Sequence, residues 1–433
     1  MKYMKRLIFV LSAFMLASLA FAQEQTEGTL ALSLEDAKKY ALEHNRTLQN
    51  ASLAIKQKYA ARWQSIATML PQASASLDYM NMCGYEMELM GMGVPMNPYG
   101  TFGVKASMAV SGTMVVGAVI SNIAVKMADI TAKKSEQTII NNVVTTYYSI
   151  LTMESTLKLL EKNYENLKTL HQRAQKAVDV GAAEQTSADQ IEVQVNSFET
   201  QISDTKVNKE VLTSMMRLYL GLGMDENIEL TDGFDNLIKP DETQLILDRE
   251  FNIENNYDYQ LVVKQTELAK KQEVLAAMSF VPTLSAYYQY SAKSYFGKDA
   301  GFNSTPPNVV GISLNVPLWT SGKNTYSIKE KRWAREAAEN TQKETEDKLN
   351  ISNYQLRYNL KSAYDKFKVQ EKNIEVCQKV LDNTSKKFEY GYGSSTDVTT
   401  ASQSLINAQT SYVSALLSTV EAYLNLKDLL NVE

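Results

Sequence analysis

At 433 residues with a net charge of −5 and a pI near 5.5, the chain offers no basic footprint for nucleic acid. It holds 8 prolines and 18 glycines, too few to mark linkers between globular domains, so long uninterrupted elements are expected. Cys83 and Cys377 fall in a loop and deep in a helical pattern, which argues against a disulfide between them.

The chain opens with Lys2, Lys5 and Arg6 ahead of an apolar run from Leu7 to Ala20, and Ala20-Phe21-Ala22 precedes Gln23. That order reads as a secretory signal peptide over residues 1–22, because the apolar run falls short of the roughly 20 residues a spanning helix needs. The mature chain then starts near Gln23, with no cysteine there to carry a lipid anchor. No later segment is expected to be apolar for long enough to cross a membrane as a helix.

From there one order of elements occurs twice: an amphipathic helix, a proline, two strands joined by a loop, and a very long helical hairpin. Glu43-His44-Asn45 to Pro71 and Glu254-Asn255-Asn256 to Pro282 keep an identical offset without gaps. The layout predicts an internal two-fold repeat, residues 23–222 and 251–433, around an equatorial connector at 223–250 that contains Asp232-Gly233 and Lys239-Pro240. The connector reads either as a belt around the helices or as a plain link.

The strands alternate completely. Ala73, Ala75, Leu77 and Tyr79 oppose Gln72, Ser74, Ser76 and Asp78; Val104, Ala106, Met108 and Val110 oppose Lys105, Ser107, Ala109 and Ser111. In the second half Leu284, Ala286, Tyr288, Tyr290 and Ala292 face away from Thr283, Ser285, Tyr287, Gln289, Ser291 and Lys293, and Val310, Ile312, Leu314 and Val316 from Gly311, Ser313 and Asn315. Any one of these would be ordinary in a half-buried soluble sheet. Together they fit strands with an apolar face toward lipid and a polar face toward a lumen. Four strands cannot close a barrel, so copies must combine; a dimer would bring eight strands and a trimer twelve, and both remain open on this ground. The intervening loops, Met82 to Phe102 and Ser294 to Pro307, read as exposed tips, and the methionines of the first as flexible packing, since no His accompanies them.

Gly117 to Val180 and Lys323 to Tyr390 contain no proline, and as helices each would extend roughly 95 to 100 Å. Return helices are expected from Glu184 to Leu222 and from Thr396 to Leu430. Ile191, Val195, Phe198, Ile202, Leu212, Met216 and Tyr219 form a coiled-coil seam interrupted by Thr205 and Lys209; Leu405, Tyr412, Leu416, Tyr423, Leu426 and Leu430 form another, with Gln409 and Thr419 as polar positions. The hairpins reverse at Val180-Gly181-Ala182 and at Tyr390-Gly391-Tyr392-Gly393, where glycine suits a left-handed helix stop and Ser or Thr can cap the next helix.

An enzyme would need a nucleophile, a base or a metal cluster. The two histidines, His44 and His171, each sit on a helix without a ligand or triad partner at suitable spacing. Gly91-Met92-Gly93 is not followed by a phosphate-binding helix.

Ser33-Leu34-Glu35-Asp36-Ala37 leading to Asn45-Arg46-Thr47-Leu48, the counterpart Asn256-Tyr257-Asp258-Tyr259, the exit Val316-Pro317-Leu318-Trp319-Thr320-Ser321-Gly322, and Phe388-Glu389-Tyr390-Gly391 followed by Asp397-Val398 and Ala401 carry a resemblance. In this order they resemble the TolC-type outer membrane efflux proteins over essentially the whole mature chain. One departure is Ser111-Gly112-Thr113-Met114, which replaces the proline-bearing exit in the first half and leaves Gly117 alone.

The resemblance implies a mainly α fold with a membrane β-barrel: a homotrimer whose twelve-stranded barrel sits in the lipid bilayer of the outer membrane and continues as a coiled-coil α-barrel through the periplasm. It implies an exit duct for tripartite efflux or type I secretion, partnered by a periplasmic adaptor protein and an inner-membrane pump, with no catalysis, cofactor or metal. Family members place carboxylates just after the second hairpin tip, around the periplasmic entrance. Asp397 matches the first acidic position and Thr400 occupies the second, which predicts weaker cation selectivity than in relatives with both. Asp397 equally suits the N-terminus of a helix dipole. Val180, Gly181, Ala182, Tyr390, Gly391, Tyr392 and Gly393 resemble the tips that meet the adaptor. A periplasmic or surface coiled-coil scaffold or adhesin is the rival reading, and it leaves the alternating strands without a purpose.

Overall fold

The structure is a computed structural model that describes residues 30–89, 91–233, 240–296 and 306–432. The leader read at 1–22, Lys239 of the connector and most of the second loop lie outside these residues. In chain order the elements are β1 (Leu30–Leu32), α1 (Leu34–His44), α2 (Arg46–Ala67), β2 (Gln72–Met80), β3 (Glu86–Leu89), β4 (Met92–Pro95), β5 (Tyr99–Val110), α3 (Gly112–Asp179), α4 (Gln185–Leu220), β6 (Ile228–Leu230), α5 (Pro240–Leu247), α6 (Tyr257–Ala277), β7 (Thr283–Tyr295), β8 (Asn308–Asn315), α7 (Lys323–Glu389) and α8 (Ser395–Leu430). The chain forms two compact units. One takes the chain up to Arg46, Ile139–Thr243 and Ser362–Glu421; the other takes Thr47–Thr138, Gln244–Lys361 and Ala422–Glu433.

In the second unit the four alternating segments form one antiparallel sheet in the order β2-β5-β7-β8. Register keeps each face uniform: Leu77 pairs with Phe102 and Phe102 with Ala292, while Asp78 pairs with Thr101 and Thr101 with Lys293. Every residue of β2 is exposed, and on the apolar face Leu77, Val310 and Ile312 are 81%, 77% and 78% exposed. Two glycines seat aromatic rings on opposite faces. A Cβ on Gly100 would press on the Phe296 ring, which lies 6.0 Å from Tyr79, and one on Gly311 would come within 2.5 Å of the Tyr287 ring. The segment read as one exposed loop is partly ordered, because β3 and β4 form their own hairpin and β5 begins at Tyr99. Glycine and methionine hide the alternation there.

The strand exits differ as the sequence does. Ser111 caps α3, its Oγ accepting from the Met114 N–H at 3.3 Å, and the helix begins at Gly112. In the second half Ser321 and Gly322 both take positive φ, and the Lys323 N–H reaches the Thr320 carbonyl to start α7. Between Gly112 and Val125 no residue is charged. Among the described residues α3 is accordingly the one helix holding a stretch long and apolar enough to cross a membrane, with 17% of that stretch buried. This corrects the expectation that no later segment is so apolar.

In this unit α6 is tied to α7 by Arg335, which donates to Glu273 at 2.7 Å and to Glu339 at 3.0 Å. Asn256 caps α6 by accepting from the Asp258 and Tyr259 N–H groups, and its Nδ2 donates to the Leu429 carbonyl at 3.1 Å. Beyond α8, Asn431 takes φ 47 and donates to the Asn255 carbonyl at 2.7 Å.

The first unit makes the matching arrangement with different chemistry. Asn45, between α1 and α2, donates through Nδ2 to the Tyr219 carbonyl at 2.7 Å. Beyond α4 the left-handed position is Gly221, φ 75, where a Cβ would stand 2.4 Å from the His44 carbonyl oxygen. Where Asn431 reaches out to a carbonyl, Gly221 lets one approach.

The connector proves to be partly a sheet. β6 pairs in parallel with β1, a strand too short to carry a pattern. Tyr147 of α3 holds this strip: its buried hydroxyl lies 2.9 Å from Asp232 Oδ2 and 3.1 Å from the Leu32 carbonyl, and the same Oδ2 accepts the Leu34 N–H at 2.8 Å. Three of the four seam interruptions find partners, whereas the buried amide of Gln409 has none among the described residues. Thr205 and Thr419 return their hydroxyls to the carbonyls of Gln201 and Ala415, and Lys209 pairs with Glu154 at 2.8 Å.

Gly221→Ala should cost about 1–2 kcal/mol through the left-handed backbone, and more through the clash, whereas Asn431→Gly should lose only a hydrogen bond, about 1 kcal/mol. Urea midpoints read the ordering, and equal midpoints would contradict the close approach at Gly221. Burial, and then the Asp232 carboxylate, push the Tyr147 hydroxyl well above its ordinary pKa of 10.0. Its contribution is therefore complete below pH 10 and lost as pH rises through the raised folded value. Tyr147→Phe should cost about 1 kcal/mol near neutral pH and flatten the alkaline loss of stability; parallel alkaline profiles for both proteins would refute this.

Candidate functional site

Both hairpin tips are built the same way. α3 stops because Gly181 takes φ 74, letting its N–H reach the Val178 carbonyl and the Ala182 N–H reach the Ala177 carbonyl, each at 2.8 Å. At the second tip Gly391 takes φ 77, with the Gly391 N–H on Phe388 at 3.0 Å and the Tyr392 N–H on Lys387 at 2.8 Å. These paired bonds satisfy the orphan carbonyls at a helix end. At neither glycine would a Cβ meet a neighbour, so backbone conformation alone demands glycine there. Gly393 differs, since a Cβ there would come within 2.9 Å of the Phe388 nitrogen.

The helices that follow start differently. Glu184 precedes α4 without a side-chain cap. Ahead of α8, Ser394 Oγ accepts from the Thr396 N–H at 3.0 Å, and Asp397 Oδ2 accepts from the Ser394 N–H at 3.2 Å. This reciprocal box fixes the first turn. Asp397 is thus part of a helix start as well as an exposed carboxylate, and Thr400 is exposed one turn later on the same face.

The tips are joined by contacts that local spacing does not reveal. Arg173 of α3 pairs with Glu389 of α7. Ser395 donates to Gln190 Oε1 of α4 at 2.7 Å, and Thr396 Oγ1 lies 3.4 Å from the same oxygen. Beneath them Leu160, Leu167, Ile191, Phe198, Val398 and Leu405 form a core. The tip residues face outward: Val180, Tyr390 and Tyr392 are 79%, 73% and 87% exposed. Gly181, Ala182 and Gly391 are exposed as well, and Gly393 is half-buried.

Among the described residues no cluster of His, Cys, Asp and Glu could hold a metal ion. His44 is spent locally, stacked on Tyr40 at 4.1 Å with Nδ1 3.0 Å from the Tyr40 carbonyl. What the geometry offers is an exposed apolar sheet face, long paired helices and a carboxylate beside a turn.

Residues 252–432 match the family model described as outer membrane efflux protein. Among curated proteins no sequence matches. The fold is similar to the Campylobacter jejuni CmeC outer membrane channel, with TM-score 0.77 and 16% identity over 92% of this chain and 85% of that one. It is also similar to the outer membrane protein VceC of Vibrio cholerae, TM-score 0.72 and 17% identity over 92% and 95% of the two chains. The open-state MtrE outer membrane channel of Neisseria gonorrhoeae gives TM-score 0.73 and 14% identity over 92% and 88%. The family resemblance read in the sequence is borne out where residues 252–432 match the outer membrane efflux protein family, and the fold of these outer membrane channels extends over nearly the whole chain.

Proposed function

We propose that this protein is the outer membrane exit duct of an efflux system, assembled as a homotrimer and fed by a periplasmic adaptor and an inner-membrane pump. The observation that carries the reading is the sheet β2-β5-β7-β8: among the described residues its apolar face is uncovered, and β2 and β8 each pair along one edge only. Hydrocarbon tolerates no open edge, so a barrel must be completed by other copies, and three copies supply twelve strands. The family match and the similarity to channels described as outer membrane proteins support the same reading, with the barrel in the outer membrane. A scaffold or adhesin is not favoured, because it gives the exposed apolar face no solvent that suits it.

In this reading the tips around Gly181 and Gly391 meet the adaptor, and Asp397 rings the periplasmic entrance with one carboxylate per chain. The repeats 23–222 and 251–433 then supply equivalent strand pairs and helical hairpins, with residues 223–250 as the equatorial connector.

Cell fractionation should leave the protein in outer membranes after salt and carbonate washes, running as a heat-modifiable oligomer; release by either wash would refute the duct. Asp397→Asn keeps an acceptor for the Ser394 N–H and removes only charge. In planar bilayers it should shift the reversal potential toward anions, and an unchanged value would remove Asp397 from the entrance.

A further inference from the structure

We infer that Lys105 forms an anion-favouring ring inside the barrel, a selectivity element separate from the carboxylate at the entrance. The inference rests on the duct reading, because it needs the polar sheet face to line a lumen. Charged residues on that face are few: Asp78 on β2, Lys105 on β5 and Lys293 on β7. Register separates them into two levels. Asp78 pairs with Thr101 and Thr101 with Lys293, which puts the carboxylate and Lys293 on one level two strands apart, about 10 Å at the strand spacing. Each chain therefore contributes one charge of either sign to that row, which carries no net charge.

Lys105 sits on a different level. Its row is Ser74, Lys105 and Gln289, continued by Val309, with no acidic residue. From the level of Asp78 it is four residues away along the strand, about 13 Å, beyond the reach of effective screening by that carboxylate. Lys105 makes no ion pair among the described residues; its ammonium lies over the Tyr287 ring, 5.7 Å from the centroid. Tyr287 in turn is laid against Gly311, where any Cβ would collide with the ring. The glycine makes room for the ring, and the ring offers the ammonium a seat on the wall while leaving its positive charge uncancelled. Three copies then present three such charges at one height, the arrangement by which rings of lysine favour anions in pores. Solutes carrying carboxylate, sulfonate or phosphate groups are the class this level would pass most readily.

The test is the reversal potential of the full-length protein in planar bilayers under a potassium chloride gradient near 0.1 M. Lys105→Gln should lower the chloride-to-potassium permeability ratio about two-fold, Lys105→Glu should lower it further, and Lys105→Arg should restore it; the effect should fade near 1 M as screening shortens to about 3 Å. The shift is opposite in sign to that of Asp397→Asn. As a second measure that compares one variant with itself, Lys105→Cys in a background of Cys83→Ser and Cys377→Ser should respond oppositely to anionic and cationic thiol reagents added to the open channel. A conducting channel whose selectivity ignores the charge at position 105 would overturn this proposal alone. A wild-type protein that forms no channel would overturn the duct reading and this proposal with it.

Discussion

A strand placed in hydrocarbon has to pair along both edges, since no water is present to satisfy an open row of N–H and C=O groups. Among the described residues of this chain β5 and β7 pair along both edges, and β2 and β8 along one. The rest of the molecule follows from that deficit. In the proposed duct the strands alternate because one face meets lipid and the other water, and the long helices would carry the duct across the periplasm. The tips are compact, glycine-stopped turns whose side chains face outward. Even the position of charge obeys it, for a lysine or aspartate on these strands is tolerated only on the face turned from lipid.

Corresponding positions in the two halves make the same contact by different means. Asn45 and Asn256 each donate to a carbonyl near the end of a return helix, and Gly221 and Asn431 each follow that helix with a positive φ. In one case the side chain is removed so that the His44 carbonyl can approach, and in the other a side chain reaches the Asn255 carbonyl. The contact is kept while the chemistry differs, which fits the proposed repeat despite its thin sequence identity.

The period-two strands and the proline-free helices were legible because their signals are long and internally consistent. Thr283–Tyr295 and Lys323–Glu389 differ from the expected spans mainly at their ends. What the sequence hid was short or distant. β1 and β6 have three residues each, too few for any period to show. The pairing of Tyr147 with Asp232, of Arg173 with Glu389 and of Gln190 with Ser395 joins residues far apart in the chain, and no local pattern announces it. At the candidate site the turns at Gly181 and Gly391 were readable from their glycines, and the second also from the capping serine, Ser394. The second duty of Asp397, as acceptor for the Ser394 N–H, follows from the same spacing and tempers any reading of that carboxylate as purely electrostatic.

The central claim is that the missing edges are supplied by identical copies. Native mass spectrometry of the protein extracted in mild detergent tests it most directly, because it counts chains without assuming a shape. The account predicts a single species of three chains that dissociates only on unfolding. A monodisperse single chain that stays soluble in water without detergent would contradict it.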